Sequence, residues 1–157
     1  MEVTTIIDPN TIKINLTGTT KEEVLEELAT VLLKNGYIND LKEFMKAIYK
    51  REKAGHTGIG NYIAIPHGKS ASVNKIGVAI GVTPYEISWE TLDGKGVKGI
   101  ILFAVGNDNE GAKNHLKLLS LFARKLGNDA VVEQLIKAKT PKDVITAFTL
   151  SEKRTDK

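Results

Sequence analysis

The sequence predicts an α/β fold: a mixed sheet of about five strands flanked by helices, in a three-layer sandwich. Three observations carry that expectation. Apolar residues alternate at period two over 12–16 and again over 76–82, as in strands with one bulky buried face. Residues 100–105, Ile-Ile-Leu-Phe-Ala-Val, are continuously apolar, as expected of a central strand covered on both faces. Between and after these runs, apolar residues recur at helical spacing behind N-cap signals and ahead of glycine stops.

Taken in order, Asp8-Pro9-Asn10 forms a turn into the strand 12–16, which Gly18 ends. Thr20-Lys21-Glu22-Glu23 has the form of a capping box, and Val24, Leu28, Val31 and Leu32 continue as a helix to Asn35-Gly36. Asp40 and Glu43 repeat the N-cap device, and Leu41, Phe44, Met45 and Ile48 form the next stripe before Gly55. Ile63-Ala64-Ile65 reads as a strand that stops at Pro66, which lacks an N–H and disfavours helix before it. In the strand 76–82, Gly77, Ala79 and Gly81 leave one face nearly bare, so a helix packs closely there. Pro84 breaks the chain, Ile87-Ser88-Trp89 is a short strand, and Asp93-Gly94-Lys95-Gly96 turns into the central strand 97–105. A polar loop, 106–111, leads to a helix marked by Leu116, Leu119, Phe122, Ala123 and Leu126 and stopped by Gly127. Asn128 caps a further helix, and Pro141 takes the first position of the last.

With 157 residues, 41% of them hydrophobic and 26% charged, the chain suits one domain over residues 1–150 and a frayed, charged C-terminal tail at 151–157. The net charge of +3 is small and the two signs are interleaved, so no nucleic-acid partner is expected. The absence of cysteine excludes a disulfide framework, a thiolate zinc site and a cysteine nucleophile, and fits a reducing compartment. No apolar run approaches a membrane span of about 18 residues, and Met1-Glu2-Val3 does not begin a signal peptide, so a cytoplasmic location is expected.

The chemistry centres on His67, held between Pro66 and Gly68 at the lip of a strand. That setting presents a reactive imidazole or merely decorates a turn. Arg51, in the last turn of a helix, is either a cation favoured by the helix dipole or an anion clamp beside the Gly-rich loop. His115 lies near the start of the third helix, at helical spacing from Leu118, Leu119 and Phe122. It is either a satisfied core histidine or a second imidazole beside an anion that the helix N-terminus favours. His56 falls in the loop after Gly55 and is expected to face solvent. There is no glycine loop ending in Lys-Ser/Thr, no kinase signature, no HExxH and no GxSxG. Histidine itself as nucleophile remains, with Arg51 and His115 stabilising charge and with no cofactor or metal.

Arg51-Glu52, Thr57-Gly58-Ile59-Gly60-Asn61, Ile63-Ala64-Ile65-Pro66-His67-Gly68-Lys69 and later His115-Leu116 resemble the enzyme IIA domain, fructose/mannitol/nitrogen type, of the phosphoenolpyruvate-dependent sugar phosphotransferase system. The likeness runs along nearly the whole chain. It implies a phosphoryl carrier that takes phosphate from phospho-HPr on His67 and passes it to a cysteine of a IIB domain, with the membrane IIC component engaged only indirectly. Some relatives instead regulate partners through their phosphorylation state. By the same resemblance Nδ1 of His67 is protonated and held by an acceptor such as a carbonyl, and Nε2 carries the phosphoryl group. Arg51, His115 and the Thr57-Gly58 backbone would position and stabilise it. The family commonly has a small hydroxyl residue at the place of His56 and glycine at that of Tyr62, departures that bear on partner choice.

Overall fold

The computed structural model describes residues 2–150; the predicted tail 151–157 lies outside them. Six strands make one mixed sheet: β1 (Ile12–Ile14), β2 (Gly58–Gly60), β3 (Ile63–Ala64), β4 (His67–Lys69), β5 (Gly77–Ile87) and β6 (Val97–Val105). Their order is β1-β5-β6-β3-β2, and β4 also pairs with β6. The strand pairs β5/β6 and β2/β3 are antiparallel, whereas β1 runs parallel to β5, and β3 and β4 run parallel to β6. The mixed sheet and its helical layers agree with the predicted fold class.

Helices cover both faces. On one side lie α2 (Lys21–Lys34) and α3 (Leu41–Ala54), whose Leu25, Leu28, Phe44 and Ile48 pack against Ala64, Ala79, Ile100 and Leu102. On the other lie the short α1 (Val3–Ile6), α4 (Asn109–Leu126), α5 (Asp129–Ile136) and α6 (Pro141–Ala147), with Leu118, Phe122, Val131, Leu135 and Val144 against Val78, Ile80, Ile101 and Phe103. Alternate residues of β6 therefore enter opposite cores, which explains its unbroken apolar run. The bare face of β5 behaves as predicted: a Cβ on Gly81 would lie 2.8 Å from Leu16 and 3.0 Å from Leu28 of α2.

Five local expectations give way. Pro84 does not break β5, and 87–89 is not a separate strand. The register jumps between the pairs Val82–Gly99 and Ile87–Val97, and proline is accommodated in that irregular, exposed stretch, where no ladder N–H is required of it. The first strand stops at Ile14, because Asn15 adopts φ +59°, a left-handed conformation that asparagine tolerates. The predicted loop 106–111 is shortened, since Asp108 caps α4 by accepting from the Gly111 N–H at 2.8 Å. Gly111 is then a helix residue that leaves room for the Gly106 carbonyl rather than a loop glycine. Along α4, Phe122 and Leu126 line the core as expected, joined by Gly111 and Leu118, whereas Leu116 and Ala123 face solvent.

Candidate functional site

Pro66 interrupts the strand without ending it. Its carbonyl accepts from the Phe103 N–H at 3.0 Å, and β4 resumes along the same edge of β6, with His67 opposite Phe103. His67 is thus the first residue of a strand and only 6% exposed, where a lip position was expected. Gly68 is required for space and not for unusual backbone angles: a Cβ there would lie 2.9 Å from Phe44 Cδ1 and closer still to the rest of that ring. The missing side chain lets α3 close onto β4.

The His67 ring stacks on Phe103, centroids 5.4 Å apart and planes within 9°. The His115 ring meets it edge-on, with centroids 4.3 Å apart and planes at 69°. Among the described residues neither nitrogen of His67 has a hydrogen-bond partner, nor does Nε2 of His115. The carbonyl expected to hold Nδ1 of His67 is therefore not in place. One flat side of the imidazole lies on a phenyl ring without an acceptor, and the neighbouring imidazole approaches it as well. Burial, then the nearby His115 and Arg51, push the His67 pKa down from 6.5 to about 3, so the ring is neutral near pH 7. Burial, then Lys69 and Arg51, lower that of His115 as well. Two neutral imidazoles thus sit in a field set by cations, an environment that favours an incoming anion.

Arg51 lies half-buried in the last turn of α3 and donates from Nη1 to the Gly55 carbonyl at 3.1 Å. It serves the helix end and, through its charge, acts on both histidines. His115 sits in the second turn of α4, and of the amides at that helix start the Gly111 N–H is bonded to the Asp108 side chain. His56 is exposed and its charge acts on Glu90. Thr57 is 3% exposed; its hydroxyl donates to Glu52 at 2.7 Å and accepts from Trp89 Nε1 at 3.2 Å, and its carbonyl accepts from the Ile65 N–H at 2.9 Å. Gly58 pairs with Ala64, and a Cβ on it would meet the Glu90 carbonyl oxygen at 2.6 Å. Tyr62 takes φ +68° at the β2–β3 turn, with the Lys95 and Lys98 ammonium groups 5.5 and 5.2 Å from its ring centroid.

The structure brings His67, His115 and Arg51 together and places Thr57 and Gly58 in the frame behind the Gly55 loop. Sequence reasoning missed Phe103, Phe44, Lys69 and Glu52. Phe103 read as one more apolar residue of a central strand, whereas the bareness of Gly68 beside a histidine was a usable sign of a close neighbour. Among the described residues no group of three or more His, Asp or Glu is placed to hold a metal ion, and no helix is long and apolar enough to cross a membrane.

Residues 5–150 match the family model described as "Phosphoenolpyruvate-dependent sugar phosphotransferase system, EIIA 2". The chain is 36% identical over 154 residues to the PTS system fructose-specific EIIABC component of Bacillus subtilis (strain 168), an alignment covering 98% of this chain and 24% of that protein. It therefore spans about a quarter of that relative's length. Against the PTS system fructose-like EIIA component of Escherichia coli (strain K12) it is 34% identical over 124 residues, covering 79% of this chain and 82% of that protein. The crystal structure of the nitrogen regulatory protein IIA-Ntr from Neisseria meningitidis superposes with a TM-score of 0.82 at 26% identity, covering 93% of this chain and 98% of the other.

Proposed function

The chain belongs to the EIIA 2 family of the phosphoenolpyruvate-dependent sugar phosphotransferase system, and on that premise we propose that it is a phosphoryl carrier acting through His67. In this reading His67 takes phosphate from phospho-HPr and gives it to a cysteine of a IIB partner, for uptake of a fructose-like or mannitol-like sugar. The fructose-specific and fructose-like relatives support the sugar class, and the EIIABC name of the Bacillus subtilis protein supports a IIB partner. Residues 1–150 act as one carrier domain in the cytoplasm, and IIC is reached only through IIB.

The observation that carries the reading is the neutral, buried imidazole of His67, unbonded at both nitrogens, against His115 and the charge of Arg51. A nucleophilic histidine must keep a lone pair at neutral pH, and burial that lowers the His67 pKa to about 3 favours that neutral form. In the first step the Nε2 lone pair forms a bond to phosphorus while the donor's N–P bond breaks and its electron pair returns to the donor imidazole. The His67 proton stays on Nδ1. In the second, a IIB thiolate forms the S–P bond and the N–P bond to His67 breaks, restoring its lone pair. Such transfer asks for alignment and charge stabilisation more than for proton transfer. Arg51 and His115 supply the charge and a hydrogen-bond donor, and Thr57 and Gly58 hold the loop whose backbone faces the phosphate. Because His67 is 6% exposed, its ring or that of His115 turns aside as the donor docks.

Incubation with phosphoenolpyruvate, enzyme I and HPr tests the proposal. One acid-labile phosphoryl group is expected, with none on His67→Ala, and uptake by that variant would refute the assignment. His115→Ala is expected to accept phosphate but pass it to IIB poorly; normal onward transfer would reduce His115 to a packing residue. The similarity to IIA-Ntr favours a second reading, a nitrogen-type regulator that controls partners by its phosphorylation state without moving a sugar. Retention of the phosphoryl group in the presence of fructose- and mannitol-class IIB proteins would support it.

A further inference from the structure

Lys21 is the first residue of α2, a position where a cation opposes the helix dipole. Its ammonium is nevertheless fixed there, 2.6 Å from Glu52 Oε1, 2.7 Å from Glu90 Oε1 and 5.1 Å from the centroid of the Trp89 ring. Burial pulls its pKa down, but the two carboxylates outweigh that and hold it above the ordinary lysine range. The other oxygen of Glu52 accepts from the Thr57 hydroxyl at 2.7 Å, and the same hydroxyl accepts from Trp89 Nε1 at 3.2 Å. Both oxygens of Glu52 are thus engaged, and its side chain is 8% exposed. One carboxylate joins the start of α2, the end of α3, the loop after Gly55 and the segment around Trp89.

Replacing a buried ion pair by apolar residues usually costs a fold little, so stability alone does not account for this arrangement. What it fixes is position. Arg51 directly precedes Glu52, and its guanidinium is bonded to the carbonyl of Gly55, in the loop that Thr57 anchors. The Arg51 backbone is held by α3, and its carbonyl acceptor lies in the loop that Glu52 ties to the helix end through Thr57. The groups whose charge acts on the two imidazoles are Arg51 from α3, Lys69 from β4 and His115 from α4, and of these Arg51 acts on both His67 and His115.

We propose that Glu52, through its buried bonds to Lys21 and Thr57, is a positioning residue that holds the Arg51 guanidinium beside His67; the inference rests on the carrier reading above. The test is the rate of phosphoryl transfer from phospho-HPr, measured against HPr concentration. Glu52→Ala is expected to lower the saturated rate roughly tenfold to a hundredfold while leaving the half-saturating HPr concentration nearly unchanged. Thr57→Val should act in the same direction, and Glu52→Gln, which keeps an acceptor for Thr57, should recover part of the rate. In an Arg51→Ala background the Glu52 substitution should add nothing further. An unchanged saturated rate in Glu52→Ala, or losses that multiply in the double variant, overturns the proposal. If Glu52→Ala does not fold, Glu52→Gln decides: a reduced rate that vanishes as a separate effect in Arg51→Ala supports the coupling, and a wild-type rate overturns it. If the wild-type protein takes up no phosphate, the carrier reading falls, and 15N relaxation of the Arg51 Nε–H still decides on positioning. Order lost in the Glu52 variant supports the proposal, and order unchanged overturns it.

Discussion

Replacing Gly68 by alanine probes the contact that seats α3 on the strand carrying His67. The new Cβ would lie 2.9 Å from Phe44 Cδ1 and nearer still to two other ring atoms, well inside ordinary carbon contact. Phe44 is fully buried among Leu25, Leu28 and Ile48, so its ring has little room to retreat. Overpacking of this kind costs about 1–3 kcal/mol, which for a chain of this size lowers Tm by roughly 2–12 °C. The backbone of Gly68 is ordinary strand, so no conformational strain adds to the figure. Chemical denaturation of wild type, Gly68→Ala, Phe44→Leu and the double variant measures it. Phe44→Leu alone opens a cavity and destabilises, whereas in the Gly68→Ala background the smaller side chain relieves the clash, so the two losses should sum to less than their parts. A Gly68→Ala variant as stable as wild type, or strict additivity in the double variant, would refute the close-approach explanation.

Two further predictions concern backbone strain and pH. Tyr62 sits at φ +68°, so Tyr62→Gly should be more stable than Tyr62→Ala by about 1–2 kcal/mol; equal stabilities in a melting comparison would show that the turn carries no strain. The His67 pKa falls from 6.5 to about 3 on folding, so the unfolded chain binds the extra proton and stability must drop as pH falls through that window. Between pH 7 and pH 5 wild type should lose about 2 kcal/mol more than His67→Gln. Parallel urea midpoints for the two proteins across that range would contradict the burial of a neutral His67.

The layered fold was legible because each of its signals is local. The unbroken apolar run of β6, the bare alternate positions of β5 and the capping box at Thr20 each appear within a few residues and need no partner to be recognised. Pro84 misled because a bulge, set by how β5 meets β6, absorbs a residue that would end a simple strand. Gly111 misled in the opposite direction, since its smallness answers to Gly106 rather than to a turn. At the site, His67, Arg51 and His115 stood out in the sequence because histidine and arginine near glycine or a helix end carry a chemical expectation, and the fold brings the three into one neighbourhood. Phe103 and Phe44 were not, because the stacking and the close approach depend on register across the sheet and on helix packing, which one stretch of sequence does not contain. Glu52 stood in plain view beside Arg51, but its meaning lies in Lys21, brought to it from 31 residues before by the tertiary fold, and in the Thr57 hydroxyl, which Trp89 also bonds.

The bond between phosphorus and His67 is open to direct observation. Protein labelled with 15N in its histidine rings, phosphorylated through phosphoenolpyruvate, enzyme I and HPr and examined by 31P and 15N NMR, should show phosphorus coupled to Nε2 of His67 alone. Coupling to Nδ1, coupling to His56 or His115, or the absence of any N–P bond would contradict the central claim that His67 carries the phosphoryl group.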